Sequence, residues 1–181
     1  NLLAQGKVDE AIARFRKALE LKPELAAAHF NLGTAYERKG ALDEAIAAYR
    51  AAVDAKPEGK YYLSLGLAYR KKGMLDEAIA AYQKAGKASP ADAKIAYNLG
   101  NAFREKGQFA AAIASYKEAL RLRYPTPAAV HLNMGIAYQK QGDNAAAIAA
   151  YKAYLSAAPG AANAPQIRAI VDGLVSKQTP K

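Results

Sequence analysis

The chain has 181 residues, 52% of them apolar and 23% charged, which is enough apolar material to bury a core and excludes a disordered chain. It has no Cys and two His (His29 and His131), which excludes thiolate zinc sites, disulfide frameworks and Cys nucleophiles. The net charge of +10 divides as +4 over residues 1–90 and +6 over 91–181, so it is spread along the chain and not held in an arm or tail.

Residues 1–25 read as part of a helix pair, because Asn1 falls in the middle of a first helix whose start is missing. The chain is therefore expected to continue upstream, where a signal or lipid anchor stays open. Leu2 and Leu3 would then form an apolar edge through which copies could self-associate. From Ala26 to Lys39 apolar residues recur at three- and four-residue spacing, which predicts an amphipathic helix. Gly40 supplies the left-handed terminus that ends it. Leu42-Asp43-Glu44 opens a second helix, its acids where the helix dipole favours them, and Pro57 stops that helix after about Ala55.

The same frame then returns. Asn-Leu-Gly-Thr-Ala-Tyr around Gly33 is followed by Ser-Leu-Gly-Leu-Ala-Tyr at Gly66, Asn-Leu-Gly-Asn-Ala-Phe at Gly100 and Asn-Met-Gly-Ile-Ala-Tyr at Gly135. Second glycines (Gly6, Gly40, Gly73, Gly107, Gly142) recur at spacings of 34, 33, 34 and 35 residues. Each of the last four precedes an Ala-Ile run ending in Tyr49, Tyr82, Tyr116 or Tyr151, and most units close on Pro. A mid-helix Gly costs about 1 kcal/mol relative to Ala, so a recurring one, with a small Ala45-type residue in the partner helix, predicts close helix approach. The units are 26–58, 59–92, 93–127 and 128–161. After them Ala164-Pro165 fits a helix start, and Ile167, Ile170, Val171, Leu174 and Val175 make one apolar stripe, predicting a capping helix over 162–176. A disordered tail is expected over 177–181.

These units resemble tetratricopeptide repeats. The family pattern has Leu-Gly at positions 7 and 8, an aromatic at 11, Ala at 20, an aromatic at 24, Ala at 27 and Pro at 32. Leu32, Gly33, Tyr36, Ala45, Tyr49, Ala52 and Pro57 match it, as do Leu65, Gly66, Tyr69, Ala78, Tyr82, Ala85 and Pro90. The next unit has Phe103 and a Pro125 one residue late; the last has Met134 for Leu and Tyr154 for Ala. The resemblance implies an all-α, right-handed superhelical solenoid of antiparallel helix pairs with a capping helix. The Ala-rich repeats and the Ala-Pro-Gly-Ala-Ala-Asn-Ala-Pro ending are similar to bacterial members, including envelope and pilus-assembly proteins; cytoplasm and envelope both fit.

With positions 4, 7, 8 and 11 facing inward, positions 2, 5, 6, 9, 12 and 13 form the exposed stripe that in this family lines a peptide-binding groove. Here it comprises Phe30, Asn31, Thr34 and Arg38, beside Ala27 and Glu37. The third unit adds Lys60, Leu63, Ser64, Leu67, Arg70 and Lys71, and the fourth Lys94, Tyr97, Asn98, Asn101 and Arg104, with Glu105. Leu132, Asn133, Ile136 and Lys140 complete it. Asn recurs at position 6, where a carboxamide suits a peptide main chain, or alternatively bonds between repeats. Apolar side chains recur at positions 5 and 9, as a binding patch does. The stripe has seven cations against two acids. Cations at positions 12 and 13 lie in the last helical turn, where the dipole favours them, whereas Lys60 and Lys94 sit near helix starts and are the expected ligand contacts.

The expected partner is thus a protein or peptide, with an acidic segment favoured by the cations. The Lys/Asn/Arg carboxylate clamp of heat-shock co-chaperones is not matched, since Asn98 stands where Arg is required. Nucleic acid is the rival, and it needs free aromatics, for which Tyr61, Tyr97 and Tyr124 are the candidates. No phosphate-cradling loop, nucleophile elbow or cofactor motif occurs; His29 and His131 read as packing and the Asp9, Asp43 and Asp76 acids as helix caps, so the reading is non-enzymatic. No run approaches 18 uncharged apolar residues, so no membrane span is expected.

Overall fold

The computed structural model describes residues 6–177, which form ten α-helices and no strand. The expected edge at Leu2 and Leu3, and the tail beyond Lys177, lie outside the described residues. The chain divides into two compact units, Asn1–Pro90 and Ala91–Lys181. In the first, α1 (Val8–Leu21) packs on α2 (Ala26–Lys39), which pairs with α3 (Leu42–Ala55), and α3 packs on the pair α4 (Gly59–Lys71) and α5 (Leu75–Ala88). In the second, α6 (Ala93–Glu105) pairs with α7 (Phe109–Arg121) and α8 (Pro127–Gln141) with α9 (Asn144–Ala157), and α10 (Ala164–Ser176) covers α9. None of these helices is long and apolar enough to cross a membrane.

Each pair is closed by the same contact. The ring of the second-helix tyrosine lies flat against the mid-helix glycine of the first. A Cβ added at Gly33, Gly66, Gly100 or Gly135 would stand 2.5–2.7 Å from ring carbons of Tyr49, Tyr82, Tyr116 or Tyr151. Close approach is thus the reason for the glycine, and its partner is the tyrosine at position 24. Those four rings are at most 1% exposed, so the pair has one well-defined registry.

The first helices end in left-handed glycines, with φ between 77 and 84° at Gly40, Gly73, Gly107 and Gly142. Acids at the second-helix starts do not cap as expected. Among the five second helices only α9 has a side-chain cap, Asp143 accepting from the Ala146 amide at 3.0 Å. Asp9 and Asp43 lie in the first turns of α1 and α3 and take up lysines, as described below. In α10, Ile167, Val171 and Leu174 are buried and Ile170 packs beside them, but Val175 is 44% exposed; it falls outside the stripe because it lies one residue beyond the buried Leu174.

Candidate functional site

The face of the first helices is rotated by about one residue from the expected one. Position 3 is core: Ala28, Tyr61, Ile95 and Val130 are at most 4% exposed. Position 4 is only half-buried at His29, Tyr62 and His131. His29 Nε2 donates to the Pro23 carbonyl at 2.7 Å when that nitrogen carries the proton, and burial pushes the His131 imidazole below its ordinary pKa. The rotation divides the predicted stripe into two rows. Asn31, Arg38, Lys60, Lys71, Lys94 and Lys140 face solvent, with Ser64, Asn98 and Asn133 half-buried beside them. Phe30, Leu63, Tyr97, Leu132, Thr34, Leu67, Ile136, Arg70 and Arg104 form a half-buried second row.

That second row meets the tyrosines from below. After passing under the glycine, the phenols of Tyr49, Tyr116 and Tyr151 emerge among positions 9 and 12 of the first helix. Tyr49 Oη donates to Glu37 at 2.9 Å and to Thr34 Oγ1 at 3.3 Å, Tyr116 Oη to Asn101 Oδ1 at 2.7 Å, and Tyr151 Oη to Gln139 at 2.8 Å. Burial raises all three phenols, Tyr116 to about 12 against the pull of the Arg104 guanidinium beside it.

Asn101 was expected on the open stripe and is instead 6% exposed. The reason is its amide: besides the Tyr116 hydroxyl, its oxygen accepts from Asn133 Nδ2 at 3.1 Å, and Asn133 also donates to Tyr97 Oη at 3.1 Å. Asn133 therefore bonds between repeats, the alternative reading of the position-6 asparagines. Asn98 donates to the Lys94 carbonyl one turn back, 2.8 Å away, while Asn31 stays exposed. The candidate free aromatics are also taken. Tyr61 is 4% exposed beneath Phe30, their ring centroids 5.2 Å apart, and Tyr97 stacks on Tyr124 at 4.4 Å. Leu132 and Ile136 lean on the core of Ile148, Tyr151 and Val171.

The cations separate just as clearly. Lys60 is not a lone charge at a helix start: Glu58, the N-cap residue of α4, takes Lys60 Nζ at 2.8 Å and Lys56 Nζ at 2.6 Å. These bonds lower the Glu58 carboxyl pKa and raise both lysines. Lys71 is bonded to Glu37, the acid that accepts from Tyr49. Lys94 and Lys140 have no ion-pair partner among the described residues. Two further bonds between repeats were not read from the sequence. Lys39 Nζ donates to Asp9 at 2.7 Å, and Lys72, at the same unit position, to Asp43. The signal was present as a Lys immediately before the loop glycine and an Asp near the start of the preceding second helix; it was masked because the dipole alone accounts for an acid there.

Models of the tetratricopeptide repeat match residues 1–60 and 128–160, and a TPR repeat model matches 66–103 and 100–142. No curated protein sequence matches the chain. Among solved structures, MamA superposes with a TM-score of 0.81 at 25% identity, over 86% of this chain and 91% of MamA. YrrB, described as a TPR protein with an unusual peptide-binding site, gives 0.82 at 21% identity over 92% and 86%. PilF of Pseudomonas aeruginosa gives 0.79 at 20% identity over 98% and 81%. The last two are likenesses of fold alone.

Proposed function

Because the chain belongs to the tetratricopeptide repeat family, we propose that it is a non-enzymatic scaffold that holds an extended or helical segment of a partner protein on the solvent-facing row of its first helices. The preferred partner is acidic, its carboxylates meeting Lys94 and Lys140, with Arg104 in the row below. The observation that carries this reading is the state of those two lysines: exposed, without an acid of their own, and on the same face as the half-exposed Leu132 and Ile136. Their counterparts in the first unit, Lys60 and Lys71, already have Glu58 and Glu37. Pre-ordered helices lower the entropy cost of capturing a flexible segment. A peptide-binding role for YrrB supports the reading at the level of fold.

The test is a displayed peptide library selected on the intact chain, followed by affinities for the wild type and for the Lys94→Glu/Lys140→Glu double variant. Enrichment of Asp and Glu, and a loss of about tenfold or more in the variant, is expected for paired charges at a rim. Unchanged affinity removes these residues from the site. The nucleic-acid reading is disfavoured by the burial of Tyr61 and the stacking of Tyr97 on Tyr124, which take up the three aromatics that reading relies on.

A further inference from the structure

A second face of the first unit has the features of a binding site and is unused by the reading above. On the side away from the first-helix stripe, α3 and α5 run in the same direction with α4 between them as a floor. A cavity of about 480 Å³ opens there, floored by Tyr62, Leu65 and Tyr69 of α4 and closed at one side by Met74. A second cavity of about 290 Å³ shares Arg50, Tyr69 and Met74 with it and extends toward Asp43 and Lys72. Together they make one trough that follows α3 from Asp43 to Asp54, about 16 Å by helical rise. That length is three turns of a helix and exceeds what a compact metabolite fills.

The rim is charged in a defined way. Arg50 and Asp54 stand on α3, Glu77 and Lys84 on α5, all exposed, and none of the four is ion-paired among the described residues. Lys84 rests over the Tyr62 ring, 5.9 Å from its centroid, so its ammonium is held above the floor. Because the two helices are parallel, unit position orders these groups along the trough: Glu77 toward one end, Arg50 and Lys84 in the middle, Asp54 toward the other. The floor residues Tyr62, Leu65 and Tyr69 repeat at i, i+3 and i+7, the spacing of a helix face. The corresponding trough wall in the second unit is formed by Ala146, Ala149 and Ala153, with a cavity of about 270 Å³ and none of these charges. On the facing helix α7, Lys117 and Arg121 stand at the positions of Arg50 and Asp54, so what is particular to the first unit is a rim that carries both signs on both walls.

We propose that the α3–α5 trough of the first unit docks an amphipathic helix of a partner protein. Its apolar ridge lies on Tyr62, Leu65 and Tyr69, its central acidic side chains face Arg50 and Lys84, and its basic side chains face Glu77 and Asp54. This occupant follows from charge complementarity and trough length, and it is independent of the first-helix reading.

The test uses a displayed library of three-turn amphipathic helices with an i, i+3, i+7 apolar stripe, selected on the intact chain. Affinities of the selected helices are then compared across variants. Ala80→Trp fills the trough from an exposed position on α5, and Arg50→Glu/Lys84→Glu reverses its middle charges; both leave the core untouched. A loss of about tenfold or more in each is expected, with no change in Ala149→Trp of the second unit or in Lys94→Glu/Lys140→Glu. Helices indifferent to Ala80→Trp, helices sensitive only to the Lys94/Lys140 reversal, or a library yielding no binder would each overturn the proposal. Sensitivity to Lys94 and Lys140 alone would do so while leaving the first-helix reading intact.

Discussion

The junction between the two repeats of the first unit and the junction between the two repeats of the second are built on one frame with different chemistry. In the first, Lys71 reaches back to Glu37 and Lys72 to Asp43. In the second, the same unit positions carry Lys140 with Arg104, and Gln141 with Ala110, so neither ion pair can form. There Asn133 reaches back instead, to the Tyr97 hydroxyl and the Asn101 amide, and the Tyr116 hydroxyl completes the network. Exposed ion pairs contribute little to stability and weaken with salt, whereas a satisfied buried amide network fixes one arrangement at high cost if broken. The difference also bears on function: replacing Glu37 by Arg104 in the frame is what leaves Lys140 without an acid.

The largest expected effect tests that contrast directly. Asn101→Ala leaves the buried Tyr116 hydroxyl without its acceptor and removes one of the two acceptors of the Asn133 amide, which costs about 2–3 kcal/mol. Thr34→Ala, at the same unit position, leaves Tyr49 bonded to Glu37 and should cost less than about 1 kcal/mol. Urea unfolding of both variants, with amide exchange followed in α4 and α8, measures the pair. Equal costs would break the distinction between the two junctions.

Much of the fold could be read from the residues because it rests on local rules repeated in phase. The 3.6-residue apolar spacing, the glycine stops and the proline ends mark helices without reference to neighbours. The candidate site was less legible, and for a physical reason. A helical wheel assigns a side chain to a face but not to a depth, and depth is set by what the second helix sends across. Asn101 reads as groove lining until Tyr116 is seen to rise beneath it, and Lys60 reads as a lone cation until Glu58 folds over the helix start. Asp43 reads as a cap because one turn of helix explains an acid; only the stacked neighbour supplies Lys72.

A second measurement sharpens the contrast at the tyrosines. Tyr49 and Tyr116 occupy equivalent slots, and burial raises both phenols. The neighbour at position 12 then differs in sign, since the Glu37 carboxylate pushes Tyr49 further up while Arg104 draws Tyr116 back to about 12. A phenol raised in the folded state contributes stability that is complete below its ordinary value of about 10 and is lost as pH rises through the folded value. Stability should therefore fall between pH 10 and about 12 through Tyr116, and Tyr116→Phe should flatten that part of the curve. Tyrosinate absorbance followed in the Tyr49→Phe and Tyr116→Phe proteins checks the order of ionisation. Ionisation of Tyr49 before Tyr116 would contradict it.

The smallest effect concerns how helices end in the two units. The second helices of the first unit run out into extended backbone, with φ of −140, −152 and −142° at Lys22, Lys56 and Ser89. In the second unit α7 ends differently: Arg123 N–H donates to the Leu120 carbonyl and Tyr124 N–H to the Ala119 carbonyl, both at 2.9 Å. This is the double bond pattern that Gly40 and Ala41 make after α2, and it requires a left-handed residue, here Arg123 at φ 58°. The extra turn explains why Pro125 falls one residue late, and it delivers Tyr124 onto Tyr97. A side chain in this conformation costs about 1–2 kcal/mol, and glycine's greater freedom in the unfolded chain returns about 0.5–1 of that. Arg123→Gly should therefore stabilise the protein by about 0.5–1 kcal/mol, while Gly142→Ala, the reverse change at a matching terminus, destabilises it. Thermal unfolding of the two variants reads the opposite signs, and a destabilising Arg123→Gly would mean that the arginine side chain, not the backbone, holds Tyr124 in place.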